Sequence, residues 1–384
     1  MEMLSMFDML PEEEAEKYKP IESTDWKWTM ANDYPKEKNG LKVFSCFACG
    51  GGSTMGYKLA GCEVIGCCEI DPKMNEVYVQ NHHPKHNFVM DIRKFNELPN
   101  DELPAELFDL DILDGSPPCT TFSIAGEREE SCGKKKKFRE GQAEQTLDDL
   151  SFVFIKSVAK LKPRCVIMEN VEGLLLGEAW SYVQEIYRQF RDIGYQVKHW
   201  LCKGENMGVP QTRHRVIFIA LRSDVEYDLA DLDMSFNYKP VYYGEIKSGV
   251  GENLNPNTVI YQWLQMAQPG DKRISDTIVR CGEKEKLFNH RICWPENIMQ
   301  TIAGACEILR GEEKTRVSVE DIIHGQTFPE DYVFSERTFK SATYICGMSV
   351  PPIMIKRVVT RLIESGVFEY EKRKKIDSRT ATAT

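Results

Sequence analysis

Cys119 closes the segment DGSPPC and follows the apolar run FDLDILDGS, which reads as a buried strand. Pro117 and Pro118 stiffen the approach to it, because proline fixes its own φ and restricts the residue before it. A thiol at the carboxyl end of a sheet strand stands where open α/β folds bind ligands, which makes Cys119 a candidate nucleophile. As one of thirteen cysteines it also fits the role of a small buried hydrophobe. Its position favours the chemical role.

Two further groups follow along the chain. In VIMENVEG, Glu169 and Asn170 end another apolar strand on the same sheet edge. A carboxyl group held by a packed strand end can be kept protonated and used as an acid. In PQTRHRVIF, Gln211, Arg213 and Arg215 alternate, so strand spacing puts them on one face. Paired arginines there suit an anionic or carbonyl-bearing substrate. The plainer alternative is a solvated basic edge before a buried strand.

A glycine turn supplies the other half of a site. Gly50, Gly51 and Gly52 stand between an apolar strand, LKVFSCFA, and a helix, STMGYKLA. Glycines there let backbone N–H groups approach a ligand at the positive end of a helix. Glu69 ends the second strand 19 residues after Gly50, a spacing at which an acid binds a ribose diol. Three glycines in such a turn serve tight packing as readily as nucleotide binding. Cys46 and Cys49 form a C-x-x-C with no second pair at ligand spacing, a weak metal or redox signal, and no metal is expected.

These residues need a scaffold that brings strand ends together. From Leu41 to Arg222, apolar strands alternate with helices: strands at LKVFSCFA, EVIGCCEID, HNFVMDI, FDLDILDGS and CVIMEN, helices around 146–161 and 178–193, and a hairpin-like pair, YQVKHWLC and RVIFIALR. The fold class implied is α/β, a Rossmann-like, mostly parallel sheet with helices on both faces. Residues 223–297 break this alternation and read as a small second domain. From 298 the apolar periodicity returns, ending in an amphipathic helix at VPPIMIKRVVTRLIES. Residues 1–40 form an acidic arm, helical around 11–18, and the tail 371–384 is expected to be disordered.

The 384 residues are 42% hydrophobic and 28% charged, a composition of soluble globular proteins. No apolar run reaches the roughly 18–20 residues of a membrane span. The N-terminus MEMLSMFDMLPEEEAEKY lacks the pattern of a signal peptide, so cytoplasmic residence and reduced cysteines are expected. A net charge of −10 argues, on its face, against nucleic acid as a partner. Half of it, ten acids against five bases, belongs to the first 40 residues.

Taken together, FACGGG, CCEID, MDI, GSPPCTTFS, MENVEG, QTRHR and GMSVPP, in that order, resemble the DNA (cytosine-5)-methyltransferase family. The resemblance spans about Leu41 to Ser365, with one variable stretch. It implies the fold of a class I S-adenosylmethionine-dependent methyltransferase with a small, irregular target-recognition domain. It implies that Cys119 attacks C6 of a flipped-out cytosine, that Glu169 protonates or hydrogen-bonds N3, and that Arg215, with Arg213, holds O2. The cofactor it implies is S-adenosylmethionine. Phe47, Ala48, Gly50, Gly51 and Gly52 would wrap its methionine part, Glu69 the ribose, and Ile70, Asp91 and Ile92 the adenine. Leu150, Ser349 and Val350 would line or close the pocket.

Several positions depart from the family pattern. Cys49 replaces the first glycine of F-A-G-x-G-G, Ile70 a frequent tryptophan, Thr120 a glutamine and Met348 the asparagine of G-N-S-V. These changes bear on cofactor affinity, and they leave open a relative that uses a modified sulfonium cofactor.

The partner implied is double-stranded DNA, with base flipping required for attack. In the loop after Cys119, Lys134, Lys135, Lys136, Lys137 and Arg139 would contact phosphates. The variable stretch would recognise the target, with Gln211, Lys272, Arg273, Arg280 and Arg291 as further DNA contacts. Arginine reading guanine is the commonest specific contact. A tRNA cytosine methyltransferase of the same fold is the alternative. A monomer, no membrane contact and a cognate restriction endonuclease complete the expectation.

Overall fold

The computed structural model describes residues 19–118 and 150–369. Cys119, Lys134, Lys135, Lys136, Lys137 and Arg139, the helix expected at 11–18 and the tail at 371–384 lie outside them.

Apolar, β-branched runs build a seven-stranded sheet. Its strands are β1 (Lys42–Cys46), β2 (Glu63–Glu69), β3 (His86–Val89), β4 (Ile112–Gly115), β5 (Cys165–Val171), β6 (Tyr195–Lys203) and β8 (His214–Arg222). The spatial order is β3-β2-β1-β4-β5-β8-β6. The first five strands are parallel, and the β6–β8 hairpin adds to β5 antiparallel. The strand order reverses between β1 and β4, so a crevice opens outside their carboxyl ends. The glycine turn follows β1 and the Pro117–Pro118 segment follows β4.

Side-chain alternation sends each strand to two cores. Val43, Ile112, Ile167 and Ile219 join Met55 and Leu59 of α1 (Gly52–Leu59), Val77 of α2 (Pro72–His82) and Val358 of the last helix. Phe44, Leu113, Val166 and Phe218 join Phe154 of α3 (Leu150–Leu161) and Ile186 of α4 (Trp180–Asp192). A fully buried side chain of this kind contributes about 1.5–3 kcal/mol, so the sheet is a rigid platform for its strand ends.

A second sheet is small: β9 (His290–Cys293), β11 (Glu307–Arg310) and β12 (Thr315–Arg316), in the order β12-β11-β9. Helix α5 (Ile274–Arg280) packs on it through Ile274 and Ile278, against Ile292, Trp294 and Leu309. This sheet reaches Arg316, beyond residue 297, where periodicity suggested a return to the first domain. The cause is long-range pairing, since β9 and β11 are parallel neighbours separated by a crossover. Between them, β10 (Met299–Gln300) pairs with β7 (Gln211–Thr212) and stitches the small domain to the large one.

Helices α6 (Val319–Gly325), α7 (Phe339–Met348) and α8 (Pro352–Glu364) follow. Residues 19–40 lie against this half of the chain: Asp25 pairs with Lys356 and Arg357, and the Trp28 indole donates to the Thr327 carbonyl. Among the described residues, no helix is long and apolar enough to cross a membrane.

Candidate active site

The turn after β1 is held by unusual backbone. Phe47 has φ 57°, Cys49 φ 46° and Gly51 φ 81°. A left-handed conformation costs a residue with a Cβ about 1–2 kcal/mol, so Cys49 holds, against that cost, a conformation that glycine adopts freely. Glu69 helps to hold it. One carboxylate oxygen accepts the Cys49 N–H at 2.8 Å and the other the Asp71 N–H at 2.9 Å. Burial pushes the Glu69 pKa up, against these donors. Each oxygen can accept a second hydrogen bond, so the carboxylate can also receive a diol.

The turn is closed from the far end of the chain. A Cβ on Gly52 would lie 2.0 Å from the Val350 carbonyl, and one on Gly51 2.0 Å from His82 Nε2. Ser349 is buried, and its hydroxyl has no partner among the described residues. Ile92 and Leu150 are buried, and Asp91 caps the helix Ile92–Glu97 through the Arg93 N–H at 2.8 Å. A glycine turn without side chains, one unpartnered buried hydroxyl and a strand-end carboxylate together fit an adenosine cofactor with a charged tail. The nearby thiols are poor nucleophiles, because burial pushes Cys46 and Cys49 well above the usual thiol range.

Asp114, in the strand that leads to the proline segment, is a residue that the motif reading passed over. Its carboxylate accepts from Ser45 Oγ at 2.6 Å, Ser53 Oγ at 2.7 Å and Tyr57 Oη at 3.0 Å. Burial nonetheless raises its pKa to about 6. It ties β4 to β1 and to the first turns of α1, directly beneath both loops. An acid ending a buried strand beside a glycine was the available signal.

At the carboxyl end of β5, Arg215 Nε lies 2.5 Å from Glu169 Oε1. Arg215 faces Val171 across the antiparallel β5–β8 register, two residues beyond Glu169. Its Nη1 donates to the His214 carbonyl at 2.7 Å. The His214 ring stands between Glu172 (3.0 Å) and Glu205 (2.8 Å), which fixes this end of the hairpin. Asn170 Nδ2 donates to the Pro117 carbonyl at 3.4 Å. The strand end that carries Glu169 thereby holds the segment that leads to Cys119.

The expectation that Gln211, Arg213 and Arg215 share one face is corrected. The strand is interrupted at Arg213, between β7 and β8, where the Arg213 N–H turns back to the Gln211 carbonyl at 2.9 Å. Arg213 is buried and donates to the carbonyls of Ile302 (2.9 Å) and Gly347 (3.2 Å). Gln211 is buried too. It donates to Gly325 O (2.6 Å) and Gln326 Oε1 (2.7 Å), and accepts from the Ile302 N–H (3.0 Å). Its side-chain polar atoms are committed inside the protein, whereas a place at the DNA was expected. Gln326 in turn donates to the Ser349 carbonyl at 2.7 Å. This network presses residues 347–350 onto the glycine turn.

In the small domain, Lys272 and Arg273 are exposed. Arg280 is committed to structure: it pairs with Asp271 at 2.8 Å and donates to the Met266 carbonyl at 2.6 Å. The residue is exposed nonetheless, as its expected place among the DNA contacts requires. Arg291 is buried on β9 and acts electrostatically on Arg213.

The sequence profile of C-5 cytosine-specific DNA methylases matches residues 41–364. The chain is 26% identical over 325 residues to the type II methyltransferase M.HindV of Haemophilus influenzae, covering 84% of this chain and 96% of that one. It is 30% identical over 201 residues to M.NgoPII of Neisseria gonorrhoeae, about half of each chain (51% and 52%). Among solved structures, a prophage-encoded DNA modification methyltransferase of E. coli is similar in fold. Its TM-score is 0.60 at 17% identity, over 85% of this chain and 99% of that one. The Dnmt2 methyltransferase of S. pombe gives 0.57 at 15% identity, over 85% and 99%.

Proposed function

The chain belongs to the C-5 cytosine-specific DNA methylase family, and from that membership we propose how its own residues carry the reaction. It is a DNA (cytosine-5)-methyltransferase that uses S-adenosylmethionine. The Cys119 thiolate adds to C6 of a cytosine that has left the base stack, since stacking blocks that face. Glu169 and Arg215 meet the edge of the base as one unit, the carboxyl group at N3 and the guanidinium at O2. Drawing charge to that edge makes C6 electrophilic, and addition of the thiolate makes C5 nucleophilic. When bound, S-adenosylmethionine supplies the electrophilic methyl group. Loss of the C5 proton and departure of the Cys119 thiolate restore the aromatic ring.

Glu69 would hold the ribose of the cofactor, with Ile70, Asp91 and Ile92 at the adenine. Phe47 to Gly52 would hold the methionine part, with Leu150, Ser349 and Val350 as the remaining wall. Arg213 joins the machinery by holding the 347 segment in place. The small domain, extended to Arg316, would recognise the DNA target through exposed Lys272 and Arg273, and Lys134 to Arg139 would grip phosphates. The type II names of the relatives support a cognate restriction endonuclease acting on the same DNA site. We further propose a monomeric enzyme that works in the cytoplasm.

The observation that carries this reading is the Glu169–Arg215 pair at 2.5 Å, with Asn170 holding the proline segment beside it. Incubation with labelled S-adenosylmethionine and duplex DNA containing 5-fluorocytosine tests it. A covalent adduct that is lost in Cys119→Ser is expected. No adduct, or label on tRNA and none on DNA, would overturn it.

A further inference from the structure

Two side chains outside the reaction just described grip the glycine turn. The Gly50 carbonyl accepts from Tyr332 Oη at 2.7 Å and lies 3.3 Å from His82 Nε2. Burial drives the His82 pKa down to about 3. The ring is therefore neutral, and a carbonyl partner assigns the proton to Nε2. Only the missing Cβ of Gly51 lets this ring sit so close. One residue along, Asn81 brackets Val333: its Nδ2 donates to the Val333 carbonyl and its Oδ1 accepts the Val333 N–H, both at 2.8 Å. The end of α2 and residues 332–333 thus act as one support.

That support is held in turn by residues that precede the family-matched region. Asp331 accepts the N–H groups of Met30 (2.8 Å) and Ala31 (3.0 Å), and so caps the short helix Met30–Asp33. The Glu330 N–H donates to the Trp28 carbonyl at 2.9 Å, and the Trp28 indole donates to Thr327 O at 2.9 Å. Tyr332 therefore stands in a segment clamped between residues 28–34 on one side and the cofactor turn on the other. The Gly50–Gly51 peptide plane is fixed at both ends, its carbonyl by Tyr332 and His82 and its N–H by the Ala48 carbonyl at 2.8 Å, so the shape of the turn is set before a ligand arrives, which is preorganisation.

We propose that residues 28–34 are an affinity support for S-adenosylmethionine, acting through Asp331 and Tyr332 on the Gly50 carbonyl, with His82 as a second positioning residue. The proposal rests on the reading that the glycine turn holds the cofactor. It predicts a change in cofactor binding with little change in chemistry or in DNA affinity.

The test is calorimetric binding of S-adenosylmethionine and steady-state kinetics on the full chain. The variants are Tyr332→Phe, Asp331→Ala, their double and Glu69→Gln. Tyr332→Phe keeps the ring that packs edge-on against Phe328 and Phe334, and Asp331 is exposed, so folding is preserved. Tyr332→Phe is expected to raise Kd and KM for S-adenosylmethionine about five- to tenfold, the loss of one hydrogen bond. The kcat and the KM for DNA should stay within about twofold. Asp331→Ala should raise Kd about two- to threefold, and the double variant less than the product of the singles, because both act on one support. Unchanged Kd in Tyr332→Phe, or singles that multiply, would overturn the proposal. If Glu69→Gln weakens binding and Tyr332→Phe does not, the inference fails alone. If Glu69→Gln also leaves Kd unchanged, the cofactor reading fails with it.

Discussion

The two sheets use their charged residues in opposite ways. At the carboxyl edge of the large sheet, Glu69, Asp114, Glu169 and Arg213 are buried, and each is held by named partners. In the small domain, Lys272 and Arg273 stand exposed, while Arg280 and Arg310 are tied to Asp271 and Asp321. The first arrangement is built before any substrate arrives, so its dipoles cost no reorganisation during reaction. The second leaves Lys272 and Arg273 exposed, and on the proposed reading they meet a polyanion, whose contribution is salt-dependent and additive over contacts. One region should therefore fail through chemistry or folding when altered, and the other through affinity.

The sharpest break would come from the two arginines that stand two residues apart. Arg215→Ala is expected to lower kcat about 10²–10³-fold with the melting temperature nearly unchanged. Arg213→Ala leaves the Ile302 and Gly347 carbonyls without their donor. It should cost about 3 kcal/mol of stability, read by chemical denaturation. Equal effects of the two substitutions would erase the distinction between a reacting group and a positioning one.

Asp114 tests whether the large sheet stores unfavourable charge. Its folded pKa, raised to about 6, exceeds its unfolded value, so the folded state holds the proton more tightly. Its contribution to stability is then complete below about pH 4 and lost as pH rises towards 6, a change of up to about 3 kcal/mol. Asp114→Asn should flatten that part of the stability profile relative to the wild type. An unchanged slope would remove Asp114 from the account. For the small domain, Lys272→Ala and Arg273→Ala should each weaken DNA binding about threefold to tenfold. Each should lower the salt slope by about 1, at constant kcat. The smallest effect belongs to Cys49→Gly. Relief of a left-handed residue should raise stability by about 1 kcal/mol or less, since glycine also loses more entropy on folding.

Legibility in the sequence followed locality. The glycine turn, Glu69 and Glu169 sit at ends of continuous apolar strands, where a short window holds both the strand and its exit. The β6–β8 hairpin was readable for the same reason. Gln211 misled because period-two alternation assumes an unbroken strand. The turn at Arg213 and the pairing of β7 with β10 are decided by residues almost 90 positions away. The edge of the small domain was hidden likewise, since nothing near residue 307 announces a parallel partner at 290. The His82 and Tyr332 contacts with Gly50 join points 32 and 282 residues apart.

The docking of residues 19–34 also has a kinetic meaning. Trp28 and Thr327 are separated by 299 positions, and Asp25 and Arg357 by 332. At about 5–20 residues per second of synthesis, the earliest described segment waits many seconds before its partners exist. It cannot nucleate folding, and its loop-closure entropy is met only when the rest of the chain has condensed. A segment made before its partners is thus among the last to find its place. Any chain that ends before Thr327 leaves the Trp28 indole without the carbonyl that accepts its N–H.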